Sequence, residues 1–202
     1  MKSKYPVWLF VAAVVLLPIF AFAIVSWYET NHKELLVFGG KEHRIANFEM
    51  KNQEGKIFSS KDWQGKIVVV DFFFTHCPTI CPKMTKNLKL VAESFINDDK
   101  VQINSFTVDP ERDSVERLLK YAAQFDIKNR NWHLLTGEKT AIYKLARKSF
   151  IIVATDGDGG ANDFIHSDKL VLIDKEKRIR GYYDGTNKTE VEQLIKDIKR
   201  LQ

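Results

Sequence analysis

Cysteine is scarce in this chain. There are two among 202 residues, Cys77 and Cys81, too few for the disulfide scaffold of a small secreted domain. Glycine and proline, at ten and five residues, are too sparse for a fibrous or low-complexity chain. No basic nucleic-acid motif is present. Lysine and arginine are scattered, and the densest cluster, Lys196 to Arg200, falls on a predicted terminal helix whose solvated face accounts for it. Arginine is missing from the first 43 residues, which argues against a mitochondrial presequence. Charge of either sign is missing from Val7 to Trp27.

That uncharged run is nearly all apolar and about long enough to cross a ~30 Å hydrocarbon core as a helix. Pro18 lies inside it, which a membrane helix tolerates better than a soluble one. Trp8, Trp27 and Tyr28 flank it at interfacial positions, and Lys2 and Lys4 precede it. The positive-inside rule then holds the N-terminus in the cytoplasm and exports the remainder. A cleaved signal peptide is the competing reading, because Ala21-Phe22-Ala23 resembles a cleavage site. The apolar stretch continues past it through Ile24, Val25 and Trp27, which favours an uncleaved anchor. The expected organisation is an anchor over 1–28, a polar tether over 29–43 and one domain over 44–202. The expected location is the bacterial inner membrane, crossed once, with the domain in the periplasm. Nucleic acid is excluded as a partner there. A docking surface for an acidic protein or anionic lipid remains compatible with the net charge of +5.

Within the exported part, Phe48 to Phe58 reads as two short strands around Gly55. Ile67 to Phe74 is an almost unbroken apolar strand, interrupted by Asp71, as expected where both sheet faces are covered. Pro82 to Ile96 shows a helical period. Val101 to Val108 is a strand. A helix follows through Val115 to Phe125, capped by Asp113 or Ser114. Trp132 to Leu135 predicts a short strand and Ala141 to Phe150 a helix. Leu170–Ile173 and Ile179–Tyr183 form a hairpin, and a last amphipathic helix begins with Asn187 and Glu190 as a capping box. Alternating strands and helices closed by a hairpin and a helix predict an α/β thioredoxin-like fold, a central mixed sheet flanked by helices.

The two cysteines follow the buried strand in Phe74-Thr-His-Cys-Pro-Thr-Ile-Cys-Pro82. Pro78 suits a first helical position, so Cys77 is expected as N-cap with Cys81 one turn in, both on one face. A helix N-terminus favours the thiolate, the form that attacks or binds metal. Such a pair forms a disulfide or gives one metal ion two soft ligands. Thioredoxin-type redox enzymes usually have two residues between the cysteines, and here there are three. They also carry a cis-proline before a later strand. None of Pro6, Pro18, Pro78, Pro82 and Pro110 precedes Leu170–Ile173, where His166 and Ser167 stand instead. In this fold that loop faces the first helix of the domain. Two thiolates and an imidazole make a soft three-ligand site that favours copper, with zinc as competitor. His76 is expected to point away from Cys77, His32 and His43 to be solvated, and His133 to be structural. Asp156-Gly-Asp-Gly-Gly160 hints at calcium but lacks the spacing and closing glutamate of an EF-hand.

The 74–82 segment resembles the Sco/SenC family of copper-binding proteins, as do Thr107-Val-Asp-Pro-Glu-Arg-Asp113, Leu135-Thr-Gly137, and His166-Ser167 followed by Val171-Leu-Ile-Asp174. The resemblance spans roughly residues 44–200. It implies copper, Cu(I) or Cu(II), on Cys77, Cys81 and His166, with Asp109 as a group that orients the ligands from behind. It implies a single membrane anchor, a copper donor, and subunit II of cytochrome c oxidase or a similar client. Two roles follow from it: a metallochaperone that hands copper on, or a thiol–disulfide oxidoreductase or redox sensor using Cys77 and Cys81 on client cysteines.

Overall fold

The computed structural model describes residues 7–32, 34–128, 130–152, 165 and 167–202. Two compact units divide the chain, residues 1–35 and 36–202. The first contains helix α1, Val7–His32, with Pro18 inside it. Phe10, Leu17, Phe20 and Phe22 are exposed along it. Its side chains are described without a break only from Phe10 to Ser26. Among the described residues, no helix is long and apolar enough to cross a membrane.

The second unit is built on seven strands: β1 Glu49–Asn52, β2 Ile57–Ser59, β3 Ile67–Phe73, β4 Val101–Thr107, β5 Trp132–Thr136, β6 Lys169–Ile173 and β7 Ile179–Asp184. They form one sheet in the order β2-β1-β5-β4-β3-β6-β7. The centre is parallel, β3 with β4 and β4 with β5. Both edges are antiparallel hairpins. β1 and β2 turn through Gly55 at φ +76°, a conformation open to glycine, and β6 and β7 pair alongside β3. The expected mixed sheet is present. Every residue of β3 and β4 is buried, which is why both read as two-sided strands.

Among the described residues, four α-helices serve this sheet: α2 Ile80–Ser94, α3 Val115–Gln124, α4 Lys139–Lys144 and α5 Lys188–Leu201. One face of the sheet carries Val68, Val70, Phe72 and Phe106 against Trp63, Tyr143 and Phe150. The opposite face receives α2, which packs on α5, and α3, whose Tyr121 ring meets Phe73 at 5.2 Å. Phe38 pairs with Ile179 and sets its ring edge-on to Tyr182. His43, expected in solvent, places Nε2 2.7 Å from the Ser149 carbonyl.

Local sequence signals misplace three details. The helix predicted through Phe150 is α-helical only to Lys144 and continues as a π-helical turn, Leu145–Ser149. At α5, Asn187 accepts from Thr189 N–H as a cap. Glu190 instead accepts the N–H of Asp184, at 2.6 Å, so the capping box is not closed. A closed one occurs at Ser59 and Asp62. At the cysteines, α2 begins at Ile80 with Thr79 as N-cap, so Cys77 is not the N-cap and Pro78 is not the first helical residue. A turn closed by Cys77 N–H on the Phe74 carbonyl, at 3.3 Å, intervenes.

Candidate metal centre

The end of β3 delivers the cysteines. Cys81 is the second residue of α2, and Cys77 lies in the connecting loop. Both are free thiols and both are buried. Thr79 makes no side-chain capping bond. The sulfur of Cys77 accepts from the Cys81 backbone N–H instead, at 3.4 Å, and so occupies the open N-terminus of the helix.

This geometry separates the two thiols electrostatically. Burial pushes the Cys77 thiol up, but donors at Cys81, Thr79 and Ile80 outweigh it and bring Cys77 below the ordinary cysteine value. Cys81 goes the other way. Burial raises it strongly, and the charges of Cys77 and Asp71 add to the rise. Cys77 is therefore the incipient thiolate and Cys81 the protonated reserve. Two soft sulfur donors on neighbouring turns fit a thiophilic metal ion.

The floor of the site is polar and fixed. Thr85 donates to the Cys81 carbonyl at 2.9 Å and meets the Tyr121 hydroxyl at 2.8 Å. Asp71, the one acidic residue of β3, accepts from the Ser105 hydroxyl at 2.5 Å. Trp132 Nε1 in turn donates to Ser105 at 3.0 Å. Burial lifts the Asp71 carboxyl to about 7, with the Ser105 bond opposing it.

His76 turns away from the sulfurs, toward Thr75 and Arg117. His133, in β5, sets its ring tilted against Phe58, centroids 4.6 Å apart, and burial lowers it to about 4. His166 lies outside the described residues, as does the 156–160 glycine-rich run. Among the described residues, no cluster of three potential metal ligands occurs.

Asp109 lies where β4 ends, its N–H bonded to Thr107 Oγ1 at 3.1 Å and its carboxylate 3.8 Å from Arg112. The acidic residue tied to the cysteine loop is Asp113, fully buried, which accepts Thr75 N–H and both threonine hydroxyls, of Thr75 and Thr107. Its sequence position before a helix suggests only a cap. Ser114 is the cap, accepting Arg117 N–H at 3.3 Å.

The model of the SCO1/SenC family matches residues 39–202. The SCO1 protein homolog of Bacillus subtilis is 34% identical over 163 residues, covering 78% of this chain and 82% of its own. The chain belongs to the SCO1/SenC family. Solved members share the architecture. BsSco, a member of the Sco family of cytochrome c oxidase assembly proteins with an identified disulfide switch, superposes with a TM-score of 0.68 at 30% identity, over 82% of this chain and 96% of that one. ScoI of Bradyrhizobium japonicum, solved with copper bound, superposes with a TM-score of 0.63 at 26% identity, over 78% and 98%.

Proposed function

We propose that this SCO1/SenC member is a membrane-anchored copper-binding protein that assists assembly of the copper centre of cytochrome c oxidase. The observation that carries this reading is the pair of buried free thiols sharing one helix start, with Cys77 held toward its thiolate. Copper bound to the B. japonicum relative and the assembly role of BsSco support it. Copper is cargo here. Cys77 and Cys81 hold it through sulfur, and His166 is the proposed third ligand. Asp109 is proposed to orient the ligand loop from behind. The client is a copper-accepting subunit such as oxidase subunit II, and a separate donor supplies the ion.

The anchor and location belong to the same proposal. It rests on the sequence, where the uncharged run Val7 to Trp27 is about as long as a ~30 Å hydrocarbon core requires. The run's exposed apolar side chains suit lipid, and Lys2 and Lys4 favour a cytoplasmic N-terminus with the domain in the periplasm. N-terminal sequencing of membrane-extracted protein checks this. Met1 at the start supports the anchor, and a chain beginning at Ile24 in the soluble fraction contradicts it.

A redox role is the second reading. The Cys81 N–H reaches the Cys77 sulfur, so both thiols stand at one helix start, and BsSco has a disulfide switch. Copper titration of the reduced full chain in detergent separates the two. One copper per chain, lost in Cys77→Ser and Cys81→Ser and weakened in His166→Ala, supports the copper role. Undiminished copper binding by Cys81→Ser contradicts it. Normal oxidase assembly in a His166→Ala strain, with failure of Cys77→Ser, favours the thiol role.

A further inference from the structure

Asp113 sits 36 positions after Cys77 in the chain, yet its carboxylate meets the loop that carries that cysteine. Oδ2 accepts the Thr75 backbone N–H at 3.0 Å and the Thr107 hydroxyl at 2.6 Å. Oδ1 accepts the Thr75 hydroxyl at 2.5 Å. Asp113 is anchored in turn, its N–H bonded to the Asp109 carbonyl at 2.8 Å. A buried carboxylate with three donors is costly to leave unpaired, so each bond resists movement of the loop.

The network continues to the rim. The Thr75 hydroxyl has one proton, and it goes to Asp113, which as a carboxylate only accepts. Toward its other neighbours the Thr75 oxygen is therefore an acceptor, of Arg117 Nε at 3.1 Å and His76 Nδ1 at 3.2 Å. With Nδ1 as donor, His76 Nε2 accepts from Arg117 Nη2 at 3.3 Å. The assignment of that tautomer follows from the bonds. One buried anion thus sets the backbone at Thr75, the hydroxyl beside it, and the direction of His76 away from the sulfurs. Thr75 is two residues from Cys77, and Cys77 N–H closes the same turn on Phe74.

We infer that Asp113 is a positioning residue for the metal site: it clamps the Thr75–Cys77 loop to the β4–α3 connection and fixes where the Cys77 sulfur stands relative to the α2 N-terminus. This rests on the proposed copper role for its copper readout, and is independent of it for its thiol readout. The occasion for this clamp is the absence of a side-chain cap at Thr79. Without one, the start of α2 depends on the Cys77 sulfur being held in place from outside the helix.

The test uses the full chain in detergent with Asp113→Asn, Asp113→Ala, Thr75→Val, and the distant core variant Phe58→Ala. Three quantities are read: melting temperature, the rate of Cys77 alkylation by iodoacetamide in metal-free protein, and Cu(I) affinity by competition with a chromophoric chelator. Thr75→Val is expected to slow Cys77 alkylation and weaken copper at least about tenfold, because the Cys77 sulfur is no longer held at the α2 N-terminus. Asp113→Ala is expected to lose more, with Asp113→Asn, which keeps the shape, recovering part. Phe58→Ala is expected to lower the melting temperature while leaving both site readouts within about twofold. If Asp113→Ala does not fold, Thr75→Val carries the test, since it leaves the carboxylate in place. Wild-type alkylation in Thr75→Val, or equal loss in Phe58→Ala at matched melting temperature, overturns the clamp. If wild type takes no copper on its thiols the function proposal fails, and the alkylation rates still decide the clamp.

Discussion

The backbone N–H of Cys81 points at the sulfur of Cys77 across 3.4 Å. Burial is the main cause that raises Cys81, and the backbone donors at Cys81, Thr79 and Ile80, this bond first among them, bring Cys77 below the ordinary cysteine value. The donor stabilises charge on Cys77, and that same charge opposes ionisation of Cys81.

Alkylation of the metal-free, reduced protein is therefore expected to be ordered. Cys77 reacts first, and at pH 7.5 its rate exceeds that of Cys81 by at least about tenfold, because each pKa unit changes the thiolate fraction tenfold. Raising the pH should bring Cys77 to a plateau while Cys81 continues to accelerate. Peptide mass spectrometry of timed samples checks this. Equal rates at both cysteines contradict the assignment.

Asp71 predicts a pH dependence of stability. Its carboxyl titrates at about 7 in the fold and near ~3.9 in the unfolded chain. The fold thus prefers the protonated form, and this preference is fully present below about pH 4. It is lost as pH rises to about 7 and does not return above that. Asp71→Asn removes the penalty and keeps an acceptor for Ser105. Relative to wild type, the variant should gain on the order of 1–4 kcal/mol between pH 4 and pH 7.5. His133 acts in the opposite direction, being held neutral down to about 4, but it is common to both proteins and cancels. Urea unfolding at several pH values gives the difference. A variant less stable than wild type at pH 8 contradicts the burial argument.

Much of this fold is legible in the residues. The apolar runs at Ile67 and Val101 are strands because both faces are covered, and the residues around Gly55 could only turn. The start of α2 was less legible. Pro78 signals a first helical residue, but the Cys77 turn and Thr79 delay the helix to Ile80. Asp113 was less legible still. Local sequence offers it as a cap, while its partners lie at Thr75 and Thr107, and a bond across 38 positions has no local signature. Asp71 is legible as the charge that interrupts the apolar β3 run, but its partner Ser105, directly across in β4, is not. Glu190 was taken by Asp184 rather than by its own cap for the same reason, since the β7 end lies within its reach.

Oxidation should switch the site off. Joining Cys77 and Cys81 releases two protons and two electrons to an added oxidant such as diamide, and leaves two sulfurs without the charge that makes thiolates good ligands. The oxidised protein is expected to lose at least about 100-fold in copper affinity, and copper loaded beforehand should slow the oxidation. Chelator competition and alkylation mass shifts measure both. Equal affinity before and after oxidation contradicts the thiolate assignment.

The central claim, that Cys77 and Cys81 together hold the copper, is tested most directly by copper K-edge X-ray absorption on the reduced full chain loaded with one equivalent of Cu(I). The account predicts a first shell with two sulfur scatterers and one light scatterer. It further predicts loss of one sulfur in Cys81→Ser and loss of the imidazole signature in His166→Ala. A wild-type first shell with only nitrogen and oxygen scatterers, or one unchanged by Cys81→Ser, would contradict it.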